Sequence, residues 1–355
     1  MHIAYFITSH GYGHGVRASA IANCFSADVQ ITFRTMLPER FFSEELNRPY
    51  SVLEARYDCG CLQSDGITVD IEATLDCYRK IAHKNREKLQ KEVNWCAAQK
   101  VDMIVSDITP FAFEIAKHSN VPSVAVSNFT WYDIYEQYLG CSPSFKPYLE
   151  EILEQYSYAD LLIALQPSME MNFFPNKTEV PVTGRVGRSR KDDVLSYYSI
   201  DKNKNLGLIY TGDFGMNSAT WQKLSSFSDW EFLGLYQLPT SSSNFHLMDK
   251  KSFPYQDLVS TVDCVISKIG YGVVSECFLN GTPLIYLPRN HFAEYPVLEK
   301  AVQKWGMGYC LSQEQYYSLE WNNALKNVEQ KKNCPPLFSS GAPVAAELIQ
   351  SLIRS

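Results

Sequence analysis

No run of apolar residues in this 355-residue chain approaches the ~20 needed to cross a bilayer as a helix. Basic charge is also in short supply. The 32 Lys and Arg stand against 39 Asp and Glu, and the net charge of −7 repels phosphodiester backbones and anionic lipid headgroups. Nucleic acid is therefore not an expected partner. The ten cysteines contain no Cys-x-x-Cys, and the nearest pair, Cys59 and Cys61, has neither redox nor zinc-ribbon spacing. They read as reduced, mostly buried thiols. The opening Met1-His2-Ile3-Ala4-Tyr5-Phe6-Ile7 lacks a basic leader and a cleavage site, so the expected location is cytoplasmic. Neither a complete Gly-x-Gly-x-x-Gly fingerprint nor an Asp-x-Asp pair at a strand end is found. A nicotinamide dehydrogenase is disfavoured, and neither metal nor cofactor is expected.

What is present is apolar substance: 45% hydrophobic residues, 13% aromatic and 20% charged, the balance of a folded protein of roughly two domains. Short apolar runs alternate with helical patterns, the sign of βαβ units and parallel sheet. Nine strands are predicted: Ile3 to Thr8, Val29 to Phe33, Val101 to Ser106, Ser123 to Val126, Leu161 to Ala164, Leu206 to Tyr210, Phe232 to Tyr236, Val262 to Ser267 and Leu284 to Leu287. About thirty residues ahead of Val101, with Ile71, Leu75, Tyr78, Ala82, Leu89, Val93 and Cys96 on one face, predict a single amphipathic helix. The polar stretch from Thr183 to Asp193 marks the boundary. The expected fold is α/β, with two doubly wound Rossmann-like domains, 1–185 and 186–335, facing a cleft, and a C-terminal helix in 336–355 returning to the first.

Three segments could carry chemistry. The first, Ser9-His10-Gly11-Tyr12-Gly13-His14-Gly15, lies where strand one hands over to a helix, and Gly11 and Gly13 let backbone approach a ligand. His14 at a helix start suits a neutral general base; the alternative is a histidine that caps the turn, and His10 is read as structural. In the second, Val105-Ser106-Asp107, the carboxylate ends a buried strand on the same side, where it either orients His14 or caps the next helix. The third runs from Val262 to Pro288. Here Lys268, Gly270, Tyr271 and Gly272 suit a diphosphate on a helix N-terminus, with Glu276 on the following turns facing ribose hydroxyls or, alternatively, serving as a surface residue.

The order His14, Ala20-Ile21-Ala22, then Gly270 to Glu276, Gly281, Pro283 and Pro288 resembles nucleotide-sugar glycosyltransferases of the two-domain GT-B fold, both UDP-glycosyltransferases and the N-acetylglucosaminyltransferase that makes lipid II. A nearer likeness is to the glycosyltransferase-like N-terminal region of L-arabinokinase. It is carried by His10 to His14, Val105-Ser106-Asp107, Ser127 to Trp131, Lys268 to Glu276 and Asn290 to Pro296, and the kinase half is absent. The resemblance implies an inverting, metal-independent transfer from a nucleotide diphosphate sugar, UDP-linked, to an unknown small-molecule or lipid-linked acceptor. It implies His14 as base with Asp107 beside it, and Gly11, Gly13 and Trp131 on the acceptor side. Toward the donor it implies Gly212, Asp213, Phe214 and Gly215 after the first strand of the second domain, Phe253 near the base, Lys268, Gly270, Tyr271 and Gly272 at the diphosphate, and Glu276 at the ribose. Glu294-Tyr295 replaces the Asp-Gln pair that grips the sugar in many relatives. A non-catalytic nucleotide-sugar-binding module and a GT-B epimerase remain as other readings.

Overall fold

The structure, a computed structural model, describes residues 1–8, 10–63, 68–210, 218–331, 336 and 339–354. Among them lie two all-parallel sheets. The first holds β1 (His2–Ile7), β2 (Gln30–Thr35), β3 (Ser51–Glu54), β4 (Met103–Asp107), β5 (Ser123–Ser127), β6 (Leu161–Leu165) and β7 (Lys177–Val180) in the order β3-β2-β1-β4-β5-β6-β7. The second holds β8 (Asn205–Tyr210), β9 (Trp230–Gly234), β10 (Phe245–Leu247), β11 (Cys264–Lys268), β12 (Leu284–Leu287) and β13 (Gly308–Cys310) in the order β10-β9-β8-β11-β12-β13. Parallel strands need helices on both faces, which is why the central strands are nearly continuous Val, Ile, Leu and aromatic runs.

In each sheet the order reverses once, between β1 and β4 and between β8 and β11. At such switch points the connections leave in opposite directions and open a crevice beyond the carboxyl ends of the strands. Both crevices face one cleft.

Four strands, β3, β7, β10 and β13, were not expected from the sequence, and the run Phe232 to Tyr236 pairs two residues earlier, as Trp230–Gly234. The shift leaves Tyr236 past the end of β9, where it is 54% exposed.

In the first half, β1 to β4 are each followed by a helix: α1 (Tyr12–Ala22), α2 (Glu39–Glu45), α3 (Ile71–Gln99) and α4 (Phe111–Ser119). Asp70 starts α3 by accepting from the Ala73 N–H at 2.9 Å, and Lys100 ends it in the left-handed region. Its Leu75, Tyr78, Ile81 and Ala82 are buried. The C-terminal helix Ala342–Arg354 returns to the first sheet. Gly341 N–H donates to Val182 O, Gln350 Oε1 accepts from the Ser26 N–H, and Ala345, Ala346 and Ile349 join the core with Ile21. That apolar cluster runs without interruption from Ile3 and Val105 to Val265 and Leu284, so the two sheets share a core. Among the described residues no helix is long and apolar enough to cross a membrane.

Candidate active site

The register of β1 on β4 pairs Ile7 with Asp107, so the loop after β1 passes beside the carboxylate that ends β4. One turn into α1, His14 Nδ1 lies 2.8 Å from Asp107 Oδ1. A carboxylate only accepts, so Nδ1 donates and the imidazole keeps its lone pair on Nε2. Arg17, three residues on and hence on the same face of α1, grips the same carboxylate through Nε at 2.5 Å and Nη2 at 2.6 Å. Burial alone would raise the Asp107 carboxyl. Arg17 and His14 override it and hold the group below the usual carboxylate range. Asp107 therefore stays ionised. It does not cap α4, whose start at Pro110 has no side-chain cap.

The network continues across the cleft. Arg17 Nη1 donates to Asn128 Oδ1 at 2.5 Å, and Asn128 Nδ2 donates to Glu294 Oε1 at 2.6 Å. Asn128 follows β5 of the first sheet, and Glu294 precedes the helix Tyr295–Trp305 of the second half. All of these side chains are buried.

Opposite α1, Lys268 ends β11 and Gly270 opens the helix Tyr271–Asn280. Neither this helix nor α1 has a side-chain cap; each begins at an extended glycine, Gly270 or Gly11. The two starts meet backbone to backbone: a Cβ on Gly272 would sit 3.5 Å from Gly13 Cα, and larger side chains would hold them apart. Between them lies a cavity of about 340 Å³ lined by His10, Gly11, Gly13, His14, Phe129, Lys268, Gly270, Tyr271, Gly272, Glu276, Arg289, Phe292 and Glu294, among others. Tyr271 also bolts the halves together, since its hydroxyl accepts from Thr183 N–H at 3.0 Å and its ring lies under the Arg17 guanidinium.

Glu276 is 2% exposed and bound to Arg185, whose Nε lies 2.5 Å from its Oε1 while Nη1 reaches Glu45 of α2 at 2.6 Å. Burial raises the Glu276 carboxyl, with Arg185 pulling the other way. A surface position for Glu276 is thereby excluded. His10 also belongs to the cavity wall rather than only to the scaffold. Cys61 N–H donates to its Nδ1 at 3.1 Å, which leaves the proton on Nε2. Burial, with Arg289, His14 and Lys268, holds His10 well below the usual imidazole range, so it is a neutral donor.

Four expected site residues lie off the cavity lining; Asp107 stands directly behind His14. Trp131 is fully buried behind His10, edge-on to it at 5.3 Å and stacked on Tyr135; Phe129 and Phe292 take the wall instead. The Phe253 ring is part of the core and packs against Tyr197. Tyr295 turns along its own helix and bonds Glu299 one turn on. Gly212, Asp213, Phe214 and Gly215 lie outside the described residues. Among the described residues no group of three or more His, Cys, Asp or Glu is placed to hold a metal ion.

The arrangement of two Rossmann-like sheets around one cleft has counterparts among solved structures. A glycotransferase of kitacinnamycin superposes with a TM-score of 0.63 at 13% identity, covering 99% of this chain and 98% of its own. The chain has the GT-B fold. A GT-B UDP-glucosyltransferase from Polygonum tinctorium, capable of glucosylating indoxyl, matches with a TM-score of 0.63 at 12% identity over 100% of this chain and 98% of its own. In sequence, L-arabinokinase of Arabidopsis thaliana is 29% identical over 356 residues, 98% of this chain, and the chain spans 34% of that protein's length. No family model matches.

Proposed function

We propose that the protein transfers a sugar from a nucleotide diphosphate donor, a uridine one, to an acceptor hydroxyl, with inversion and without a metal ion. The observation that carries this reading is His14 on the cavity wall, backed by Asp107, with Lys268 and the uncapped start of the helix Tyr271–Asn280 lining the same cavity. His14 Nε2 takes the hydroxyl proton as the acceptor oxygen bonds the anomeric carbon. The bond from that carbon to the diphosphate oxygen breaks, and its electron pair leaves with the nucleotide. Asp107 keeps the imidazole in the required tautomer and stabilises it once charged. Lys268 and the free N–H groups at Gly270 to Gly272 face the charge that develops on the leaving group, which is the work a divalent ion does elsewhere. Glu276 holds the ribose and Glu294 the sugar. The fold and the likeness to glycosyltransferases and to part of L-arabinokinase support the reading.

The test is a split between binding and turnover. UDP binding to His14→Ala, followed by calorimetry, should match the parent, while release of UDP in the presence of acceptor falls by about 10² to 10⁴-fold. Asp107→Asn should move in the same direction, and chelator should leave the parent's turnover intact. A destabilised but fully active His14→Ala would overturn the role of the base. A sugar altered on the nucleotide without any acceptor would overturn transfer itself.

A further inference from the structure

Every other enclosed arginine described above finds its counter-charge within the protein, Arg17 on Asp107 and Arg185 on Glu45 and Glu276; Arg34 likewise pairs with Glu92. Arg289 does not. Among the described residues it makes no ion pair, its Nε is buried without a hydrogen-bond partner, and its guanidinium lies 3.8 Å over the Phe292 ring in the cavity wall. Glu294 is the carboxylate whose charge reaches Arg289, but it makes no contact ion pair with it and already accepts from Asn128. A half-buried cation without a contact partner is costly, and folding alone gives no reason to keep one facing a cavity.

Its position in the sheet says which part of a ligand it meets. Along the second sheet the strands run β8, β11, β12, and β11 pairs with β12 so that Lys268 lies beside Leu287, two residues before Arg289. The cavity therefore passes from Glu276 and Arg185, through Lys268 and Gly270, to Arg289, Phe292 and Glu294. A nucleotide sugar laid along it, ribose at Glu276 and diphosphate at Lys268, brings its sugar to Arg289. At that end Glu294 already accepts from Asn128, and His10 offers a neutral Nε2–H donor, its ring parallel to Phe292 within 11° at 6.0 Å. Neutral sugar hydroxyls do not need a free guanidinium. A carboxylate does, and the planar fork matches it.

We propose that Arg289 is the receptor for a carboxylate on the transferred sugar, so that the donor class is a nucleotide uronic acid. This rests on the donor-site reading above. The test uses the full chain in calorimetric titrations with UDP, UDP-glucose and UDP-glucuronate. The parent should bind UDP-glucuronate roughly 10- to 100-fold more tightly than UDP-glucose, the range expected for a charged hydrogen-bonded pair. Arg289→Met should erase that preference while UDP itself binds within about twofold of the parent, and Arg289→Lys should retain part of it. Melting curves establish that both variants are folded, and the parent's own preference tests the proposal without either. A parent that binds UDP-glucose as well as UDP-glucuronate overturns the proposal alone. So does a loss of UDP affinity in Arg289→Met, which would make Arg289 a diphosphate ligand. Failure of the parent to bind UDP or either sugar nucleotide overturns the donor site and this inference with it.

Discussion

Burial and the neighbouring Arg289 push the Lys268 ammonium down to about 8, so near that pH the empty protein holds a mixture of charged and neutral Lys268. A diphosphate favours the charged form, and its binding must draw a proton from solution. Uptake should approach about half a proton near pH 8 and fade toward pH 6, where Lys268 is already charged. Affinity should decline as pH rises past 8. Titrations in two buffers of different ionisation enthalpy measure this directly, and Lys268→Met should abolish the uptake. At this scale the sequence was informative where a residue type sat at a strand end next to glycine: His14, Asp107, Lys268 and Glu276 stand together around one cavity or directly behind its wall. It was silent on Arg17, Asn128, Arg185 and Arg289 as parts of the site. The partners of Arg17 are 90 and 111 positions away, and nothing local to an arginine reveals which distant carboxylate it meets.

Among elements, the division between what could and could not be read follows position in the sheet. All nine interior strands leave a readable apolar run. The four unread ones are the four edges, β3, β7, β10 and β13. An edge strand is short and half solvated, so Ser51–Glu54 and Lys177–Val180 carry polar residues that mask the pattern. Loops hide their constraints too. Gly60, at φ 61°, lies in the left-handed region, and a Cβ there would come within 2.4 Å of His10 Nδ1, the atom that accepts from Cys61 N–H. Gly60→Ala should therefore cost more than the roughly 1 kcal/mol of backbone strain, because the whole His10 side chain, Cβ included, must move as well. In a urea-unfolding cycle with His10→Gly, which removes the Cβ at 2.6 Å as well as the ring, the double variant should recover the steric part and keep the backbone part. Additivity of the two changes would show that Gly60 does not seat His10.

For the molecule as a whole, Arg185 is the tie between α2 and the helix Tyr271–Asn280, and without it two buried carboxylates, Glu45 and Glu276, would be left facing each other. Arg185→Met should lower stability by about 3 to 5 kcal/mol near neutral pH. The sign with pH follows from Glu276, already raised by burial: losing Arg185 raises it further, so protonation on going toward pH 5 relieves the variant and the gap from the parent narrows. Urea unfolding at pH 5 and pH 8 measures that gap; one that does not change would assign the loss to packing. The same junction has another property. Two helices begin in the cleft with their starts so close that a Cβ added at Gly13 or Gly272 would touch the other's backbone. Each start carries roughly half a positive charge, so like poles are pressed together and the closed form works against its own field. Shared core and buried ion pairs keep the halves together, but a dianion between the poles would turn that repulsion into attraction on both sides at once. On the proposed reading, a donor's phosphates would then help draw the two halves together around them, and their departure would restore the push between the poles.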